Sequence, residues 1–404
     1  MWFLYAALKG DAESVAAAGC SGHGRVLLDG IVGEDGRPGC ECNTCFEGPD
    51  CSARTPDCTV DADSGDPMFL EPYWMRHAEA SAVVVSGWHR MSYRATDGLF
   101  QSVELERCIR RLHRAVGNAV ADDKQIVFAT GSMQLINALV YALSPDSNSG
   151  STANVVATTP YYPPVVVGSS AILDHAYFWP HFTHIPAPSD ADVMLFTTSK
   201  LSGHASSRFG WALIRDEKVA KRVNDYIMQN TMGASRDTQL RMLAIFKTIL
   251  ANLHGKEDIF AFGHDVMTAK WRKLSAVVSR SRRISLQNIP PQYCTYFDKI
   301  REPSPAYAWV KCEREEDSDC SDVLLKAKII TRSGVWNDAS SRYTRISLIK
   351  SQDDFDLLLE RITEFVDAEL TAAGSNSIPA APPRLLAVAA SSPSAASPPD
   401  AVIS

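Results

Sequence analysis

The clearest signal along the chain is a change of hydrophobic period, repeated several times between residues 66 and 370. Gln125 to Ala129 is a short apolar, β-branched run of strand length, and Met133 to Leu143 then carries apolar residues at helical spacing. Val193 to Phe196 is another short apolar run, and Phe209 to Ile214 follows after a polar loop. Arg236 to Leu253 places Leu240, Leu243, Ile245, Phe246, Ile249 and Leu250 at helical spacing. This order predicts an α/β sandwich around a mostly parallel sheet, with a large domain over residues 61–255. Further on, Ala306 to Lys311 and Tyr343 to Ile349 predict strands. Asp353 to Leu370 predicts a closing amphipathic helix, with Phe355, Leu358, Leu359, Ile362 and Val366 on one side. These make a smaller C-terminal α+β domain over 256–372.

The two ends do not follow this pattern. Six of the ten cysteines fall in one short stretch: Cys20, Cys40, Cys42, Cys45, Cys51 and Cys58. Gly, Pro, Asp and Asn lie between them, with few large apolar residues, so residues 20–60 cannot bury a core and need cross-links. The rival is a zinc site using Cys42-x-x-Cys45 with Cys51 and Cys58. Disulfides are preferred, because six clustered cysteines overfill a four-ligand site. That choice implies an oxidising compartment, favouring the secretory pathway (ER or vacuole) over the cytoplasm. Residues 1–19 read as a clipped or weak leader: Trp2 to Leu8 is a short apolar run without a basic start. Cys108, Cys294, Cys312 and Cys320 read as scattered thiols. Residues 373–404, rich in Ala, Ser and Pro, read as a disordered tail.

Composition narrows the class further. Apolar residues make up 45% and charged residues 22%, as in ordinary globular proteins, and the formal net charge is -7. An acidic balance argues against a nucleic-acid partner. No apolar run approaches the length needed to span a bilayer.

Candidate chemistry centres on Thr197-Thr198-Ser199-Lys200-Leu201, followed by a Ser/Gly-rich loop and Arg208. A lysine at a strand end can be held against a cofactor aldehyde as a Schiff base. Arg208 and the hydroxyls suit a phosphate, which a guanidinium grips with two hydrogen bonds. On spacing alone, a lysine in a polar loop is more often a solvated surface lysine. The turn Thr130-Gly131-Ser132-Met133 before a helix offers backbone N–H groups to an anion, although such a turn is often a simple cap.

Longer runs bear on that choice. Ser199-Lys200-Leu201, Gly203-His204-Ala205 and Ser207-Arg208-Phe209-Gly210-Trp211-Ala212-Leu213 together resemble the cofactor-lysine signature of the plant alliinase and tryptophan-aminotransferase-related family. Asp174-His175-Ala176-Tyr177-Phe178-Trp179-Pro180-His181, Gly87-Trp88-His89-Arg90-Met91-Ser92-Tyr93, and Ser64-Gly65-Asp66-Pro67 with Phe69-Leu70-Glu71-Pro72-Tyr73-Trp74 are similar to further signatures of that family. The cysteine-rich stretch resembles its EGF-like module.

The resemblance implies a fold-type-I aminotransferase architecture, pyridoxal 5'-phosphate (PLP) as cofactor, and a homodimer. It implies that Lys200 carries the cofactor, Asp174 holds the pyridine nitrogen and Tyr177 bonds the phenolic oxygen. Thr197, Ser199 and Arg208, with Gly131, Ser132 and Met133, would bind the phosphate. Tyr162 matches the aromatic that stacks on the ring; alternatively it is a core tyrosine. Arg345 matches the arginine that grips the substrate carboxylate; alternatively it is a surface charge on a strand. Ser64 and Gly65 fall near the substrate, and Tyr93 is a candidate for reaching across a dimer.

Three activities are then open. One is transamination of an aromatic amino acid, with L-tryptophan giving indole-3-pyruvate, a step that feeds auxin synthesis in plants, and a 2-oxo acid as acceptor. The second is alliinase-type C–S lysis of S-alkyl cysteine sulfoxides. The third is an inactive relative. The last arises because eleven residues separate Tyr162 from Asp174, an interval that is much longer in the family and includes a Ser-Pro-Asn-Asn-Pro motif. The shortening, placed near residues 163–164, is expected to remove a crossover and at least one strand, because parallel strands need a dozen or more residues between them. Ser206 replaces a usual glycine, at a cost if the backbone there needs positive φ.

Overall fold

The structure, a computed structural model, describes residues 17–33, 36, 38–94, 100–145, 155–157, 165–167 and 170–375. Tyr162, most of the expected leader and the expected tail from 376 onward lie outside these residues. A short strand, β1 (Val60–Asp61), leads to helices α1 (Glu71–Arg76) and α2 (Val103–Val116). The central sheet is built from β2 (Gln125–Ala129), β3 (Val155–Ala157), β4 (Val165–Val167), β5 (Ser170–Asp174), β6 (Val193–Thr197) and β7 (Gly210–Ile214). Helix α3 (Ser132–Leu143) follows β2, and the single turn α4 (Thr198–Leu201) follows β6. Helices α5 (Glu217–Thr231), α6 (Arg236–Asn252) and α7 (Ile259–Val278) come next. The C-terminal part contains β8 (Ile284–Leu286), β9 (Tyr307–Cys312), α8 (Cys320–Lys326), β10 (Ile329–Ile330), β11 (Arg332–Ser333), β12 (Tyr343–Ser347) and α9 (Gln352–Ser375).

Period-two alternation sorts the central strands into two cores. Val127, Ala129, Val193, Leu195, Ala212 and Ile214 face α3 and α5, meeting Leu135, Leu139, Val223 and Ile227. Ile126, Phe128, Met194, Phe196, Trp211 and Leu213 face the other way, into the larger core with α2, α6 and α7. Burial on both faces explains why β6 and β7 read as unbroken apolar runs.

The sheet order is β2-β7-β6-β5-β4-β3. The expected predominance of parallel pairing is not found: β5 and β6 pair in parallel, while the other four neighbouring pairs are antiparallel. For two of these pairs the reason is connection length. The chain returns from β3 to β4 and from β4 to β5 within a few residues, and such short links permit only antiparallel pairing. A second sheet, β8-β9-β12-β11, lies in the C-terminal part, and β1 pairs in parallel with β10. Helix α9 continues to Ser375, three residues into the stretch expected to be disordered.

The cysteine-rich module is held by Cys20–Cys40, Cys42–Cys51 and Cys45–Cys58. Cys42 and Cys45 belong to different disulfides, which decides against the zinc arrangement. Its own core is a small group of Cys20, Val26 and Cys51, so the covalent links carry the fold. The module docks through Asp353, which accepts from Asn43 at 2.7 Å and lies 3.0 Å from the His23 ring nitrogen Nδ1, and through Arg25 with Glu71 at 2.9 Å.

One expectation for the remaining cysteines is overturned. Cys312 and Cys320 form a fourth disulfide, with Cα atoms 5.5 Å apart, joining the end of β9 to the start of α8. Both cysteines are anchored to the residues just before β12: the Cys320 N–H bonds the Ser341 carbonyl and the Cys312 N–H the Arg342 carbonyl. Cys108 and Cys294 remain buried thiols. Denatured but unreduced protein is therefore expected to alkylate at Cys108 and Cys294 alone, as read by peptide mass spectrometry; labelling at Cys312 or Cys320 contradicts the pairing. Replacing both Cys312 and Cys320 by serine should lower unfolding stability by about 2 kcal/mol, the scale of a short closed loop.

Candidate active site

Four chain segments meet along one edge of the central sheet. Strands β2, β6 and β5 run in the same direction and end there, and β7 begins there. The register makes this concrete: Gly210 of β7 sits opposite Ala129 of β2 and Thr197 of β6, and Leu195 of β6 sits opposite Asp174 of β5. The residues that follow or precede these positions are Gly131 and Ser132, Lys200, Asp174 to Tyr177, and Arg208. In open α/β sheets this carboxyl edge is where ligands bind.

At the first end of the edge, Gly131 adopts φ +97° as the N-cap of α3, and no side chain caps the helix. The Arg208 guanidinium lies against it: a Cβ at position 131 would fall 2.7 Å from an Arg208 nitrogen. Glycine is therefore needed both for the backbone angle and for the close approach. Arg208 takes the left-handed conformation at the end of a 3-10 turn spanning Ala205–Ser207. Ser206 lies inside that turn and is not among the positive-φ residues, so its substitution for glycine carries no backbone strain. Ser132 begins α3, and Met133 is exposed. The Thr197 hydroxyl caps α4 by accepting from the Ser199 N–H at 3.2 Å, and it lies 3.1 Å from both the Ser199 hydroxyl and the Phe209 carbonyl.

In the middle stands Lys200. Its Nζ donates to the Gly65 carbonyl at 2.5 Å and lies 5.5 Å from the Tyr177 ring centroid. His181 holds the backbone from beneath, its Nε2 3.1 Å from the Lys200 carbonyl. Burial lowers the Lys200 pKa to about 8; Asp66 pulls it upward and Arg345 pushes it down. Beyond it, Asp174 accepts from the Ala176 N–H at 2.9 Å, and the protein packed around it raises its pKa.

The C-terminal sheet closes the other side. Arg345 is buried, its guanidinium carbon 4.0 Å from the Tyr307 ring centroid, and its Nε has no hydrogen-bond partner. One terminal nitrogen lies 3.9 Å from an Asp63 carboxylate oxygen, and Arg332 binds the same carboxylate at 2.6 Å. The alternative reading of Arg345 as a surface charge is thereby excluded. Gly65 belongs to the site, whereas the Ser64 hydroxyl is turned toward Lys350 at 2.7 Å. Tyr93 is exposed and makes none of these contacts. Tyr162 lies outside the described residues. Sequence reasoning missed Tyr307 and Asp63, which join this cluster through strand pairing; nothing local in the chain marks them.

The alliinase C-terminal family model, described as "Allinase", matches residues 60–164 and 163–366, and the model of the alliinase EGF-like domain matches residues 1–58. This chain belongs to the alliinase family. Tryptophan aminotransferase-related protein 3 of Arabidopsis thaliana is 43% identical over 422 residues, covering 91% of this chain and 91% of that protein. Alliin lyase 1 of Allium sativum is 43% identical over 416 residues, covering 89% of this chain and 85% of the lyase. An aminotransferase structure from Staphylococcus aureus superposes with a TM-score of 0.53 at 14% identity, over 78% of this chain and 95% of that one, which establishes the fold-type-I aminotransferase architecture.

The match of the family model breaks at residues 163–164, where the sequence interval is short. The Arabidopsis alignment spans 422 positions, whereas 91% of this chain amounts to about 368 residues, so about 54 positions face a gap in this chain. The alliinase-family chain thus lacks a segment its relatives carry.

Family membership and fold imply PLP, and the residues present suit it. Asp174 is a desolvated carboxylate that no cation among the described residues pairs with, as a protonated ring nitrogen requires. An uncapped helix start beside Arg208 suits a phosphate. Two outcomes follow from this geometry. In the cofactor-free chain, acylation of Lys200 by an amine-selective reagent should rise through a pH midpoint near 8, against about 10.4 for an ordinary lysine; an ordinary midpoint, read by peptide mass spectrometry across a pH series, rejects the desolvated amine. Gly65→Ala places a Cβ 2.7 Å from the Tyr307 hydroxyl and 3.3 Å from Lys200 Nζ. It should cut kcat/KM by roughly a hundredfold, as expected for a displacement of about 1 Å, while the melting temperature stays near that of the parent.

Proposed function

We propose that this chain is a PLP enzyme acting at the Cα atom of an amino acid, and that it transaminates an aromatic amino acid, L-tryptophan to indole-3-pyruvate, with a 2-oxo acid as acceptor. The observation that carries the reading is a lysine at the carboxyl edge of an aminotransferase-fold sheet, its pKa lowered to about 8, together with a buried arginine of the facing C-terminal sheet whose Nε has no hydrogen-bond partner. Bound PLP supplies an electron sink for the pair left when a bond at Cα breaks.

The residues of the chain divide the remaining work. Asp174 would hold the ring nitrogen, Tyr177 the phenolic oxygen, and Arg208 with Ser132, Ser199 and the first N–H groups of α3 the phosphate. Arg345 grips the substrate carboxylate and so fixes which Cα bond faces Lys200. Lys200 Nζ, with its pKa lowered by burial to about 8 and so more often neutral than an ordinary lysine, accepts the Cα proton. The burial that makes it a base also excludes water from the proton's path. We further propose a homodimer formed through the surface that exposes Trp88, Met91 and Tyr93, an apolar face of the kind that marks an interface. The disulfide-linked module supports passage through an oxidising compartment.

C–S lysis is the second reading, favoured by the 43% identity to an alliin lyase, equal to that shared with the aminotransferase-related relative. The same cluster serves both reactions. The test is direct: purified chain with L-tryptophan and pyruvate is compared with chain given an S-alkyl cysteine sulfoxide. Formation of indole-3-pyruvate at a rate at least about tenfold above pyruvate release from the sulfoxide, a difference of about 1.4 kcal/mol in barrier, supports transamination. The reverse ratio assigns the lyase. An inactive relative would show neither product, no visible absorbance with PLP and no borohydride-fixed adduct on Lys200; the Lys200→Ala chain provides the blank.

A further inference from the structure

Tyr307 opens β9 and meets three parts of the site at once. Its hydroxyl is 2.7 Å from the Tyr177 hydroxyl, and the two rings meet edge to face with centroids 5.6 Å apart. Its ring lies beneath Arg345, with the guanidinium carbon 4.0 Å from the centroid. Its hydroxyl also approaches Gly65, where any Cβ would come within 2.7 Å. The Gly65 carbonyl is the group that Lys200 Nζ bonds.

We propose that Tyr307 is a positioning residue that aligns Tyr177 through its hydroxyl and Arg345 through its ring. The inference rests on the reading of this cluster as a PLP and amino-acid site. Sheet geometry sets the second contact: Tyr307 pairs with Ser347 and Trp309 with Arg345, so Tyr307 and Arg345 are diagonal neighbours two residues apart on one face. A guanidinium stacked on an aromatic face keeps its N–H groups in its own plane, free for a carboxylate. Asp63 meets that plane at one terminal nitrogen, which donates to its carbonyl at 3.4 Å and lies 3.9 Å from its carboxylate, while Nε has no hydrogen-bond partner. The first contact follows from phenol chemistry. A hydroxyl offers one proton and two lone pairs, so the hydrogen bond between the two hydroxyls restricts the directions in which the Tyr177 hydroxyl can point. Removing the hydroxyl and removing the ring should therefore have separable effects.

The experiment uses the full chain loaded with PLP and two readouts that need no turnover. One is the pH midpoint of the cofactor's visible absorbance, which reports the surroundings of Tyr177. The other is the Kd of indole-3-propionate, a carboxylate without an amine, measured by the absorbance change it causes. Tyr307→Phe should move the midpoint by about 0.5 to 1 pH unit, the scale of one hydrogen bond, and leave the Kd within about twofold. Tyr307→Leu should move the midpoint similarly and raise the Kd about tenfold, the scale of a desolvated cation–π contact. An unmoved midpoint in Tyr307→Phe, an unchanged Kd in Tyr307→Leu, or an equal rise of Kd in both overturns the proposal. Tyr307→Phe preserves the ring and its packing, so the comparison holds even if Tyr307→Leu fails to fold. Absence of visible absorbance in the parent chain defeats the cofactor reading itself, and this inference with it.

Discussion

A sheet covered on both faces has one kind of place left for polar chemistry, its edge. Here alternate residues of β2, β6 and β7 feed two separate apolar cores, and every residue of β6 and β7 is buried. Polar side chains can emerge where those strands stop. Because β2, β5 and β6 stop at the same edge and β7 starts from it, Gly131, Lys200, Asp174 and Arg208 are gathered without any long-range search by the individual side chains. The antiparallel setting of β7 is essential to this arrangement, since it turns the residue before a strand toward the same edge as the residues after its neighbours. Packing, rather than polar attraction, assembles the site.

Once assembled, the site holds its charges at a cost. A lysine with its pKa lowered by burial, a carboxylate with its pKa raised by burial, and a buried guanidinium Nε without a hydrogen-bond partner are each unfavourable alone. Segment 61–66 partly offsets them. It brings Asp63 to Arg332 and Arg345, and the Gly65 carbonyl to Lys200. The same segment is fixed outside the site by β1 pairing with β10 and by the Ala62 carbonyl accepting from the Ser347 N–H. Cys58 of the module stands two residues before β1, so the disulfide-linked module and the site share one short stretch of backbone. What the protein leaves unsatisfied, a positive ring nitrogen and two anionic groups would satisfy.

How much of this can be read in the chain depends on whether a feature is local. Strands β6 and β7 and helices α3, α6 and α9 announce themselves because their apolar residues recur with the period of the element they form. Lys200, Asp174 and Arg208 are legible through the runs around them. Helix α2 carries Leu105, Ile109, Leu112 and Val116 on its buried side, but arginines and glutamates interleave with them and the pattern is easily passed over. Tyr307 and Asp63 are not legible, because pairing between distant segments brings them into place, and the short Cys312–Cys320 loop is not legible because it closes against Ser341 and Arg342 from further along the chain. Antiparallel pairing of β3 and β4 is a matter of connection length that propensity does not carry. Ser206 shows the reverse error: a glycine-like position in sequence proves to need no special backbone, while the neighbouring Arg208 takes the left-handed angle.

The missing segment bears on activity through where it falls in the sheet. The order β2-β7-β6-β5-β4-β3 places β3 and β4 beyond β5, on the side away from Lys200 and Arg208. The two short strands there pair antiparallel, as a chain without room for a crossover must, and β5 still pairs in parallel with β6. The connection from β5 to β6 also keeps Tyr177 and the fully buried Trp179 and His181, which pack against Phe260 and support Lys200 from below. The loss therefore bears on the neighbour of Asp174 and on whatever stacks against the far face of the cofactor ring. Lys200, Gly131, Arg208 and Arg345 follow or lie on strands that pair away from this end of the sheet. On the proposed reading, a chain altered in this way should be limited first in how firmly it holds its cofactor, since Lys200, the proposed proton acceptor, is seated on the other half of the sheet edge.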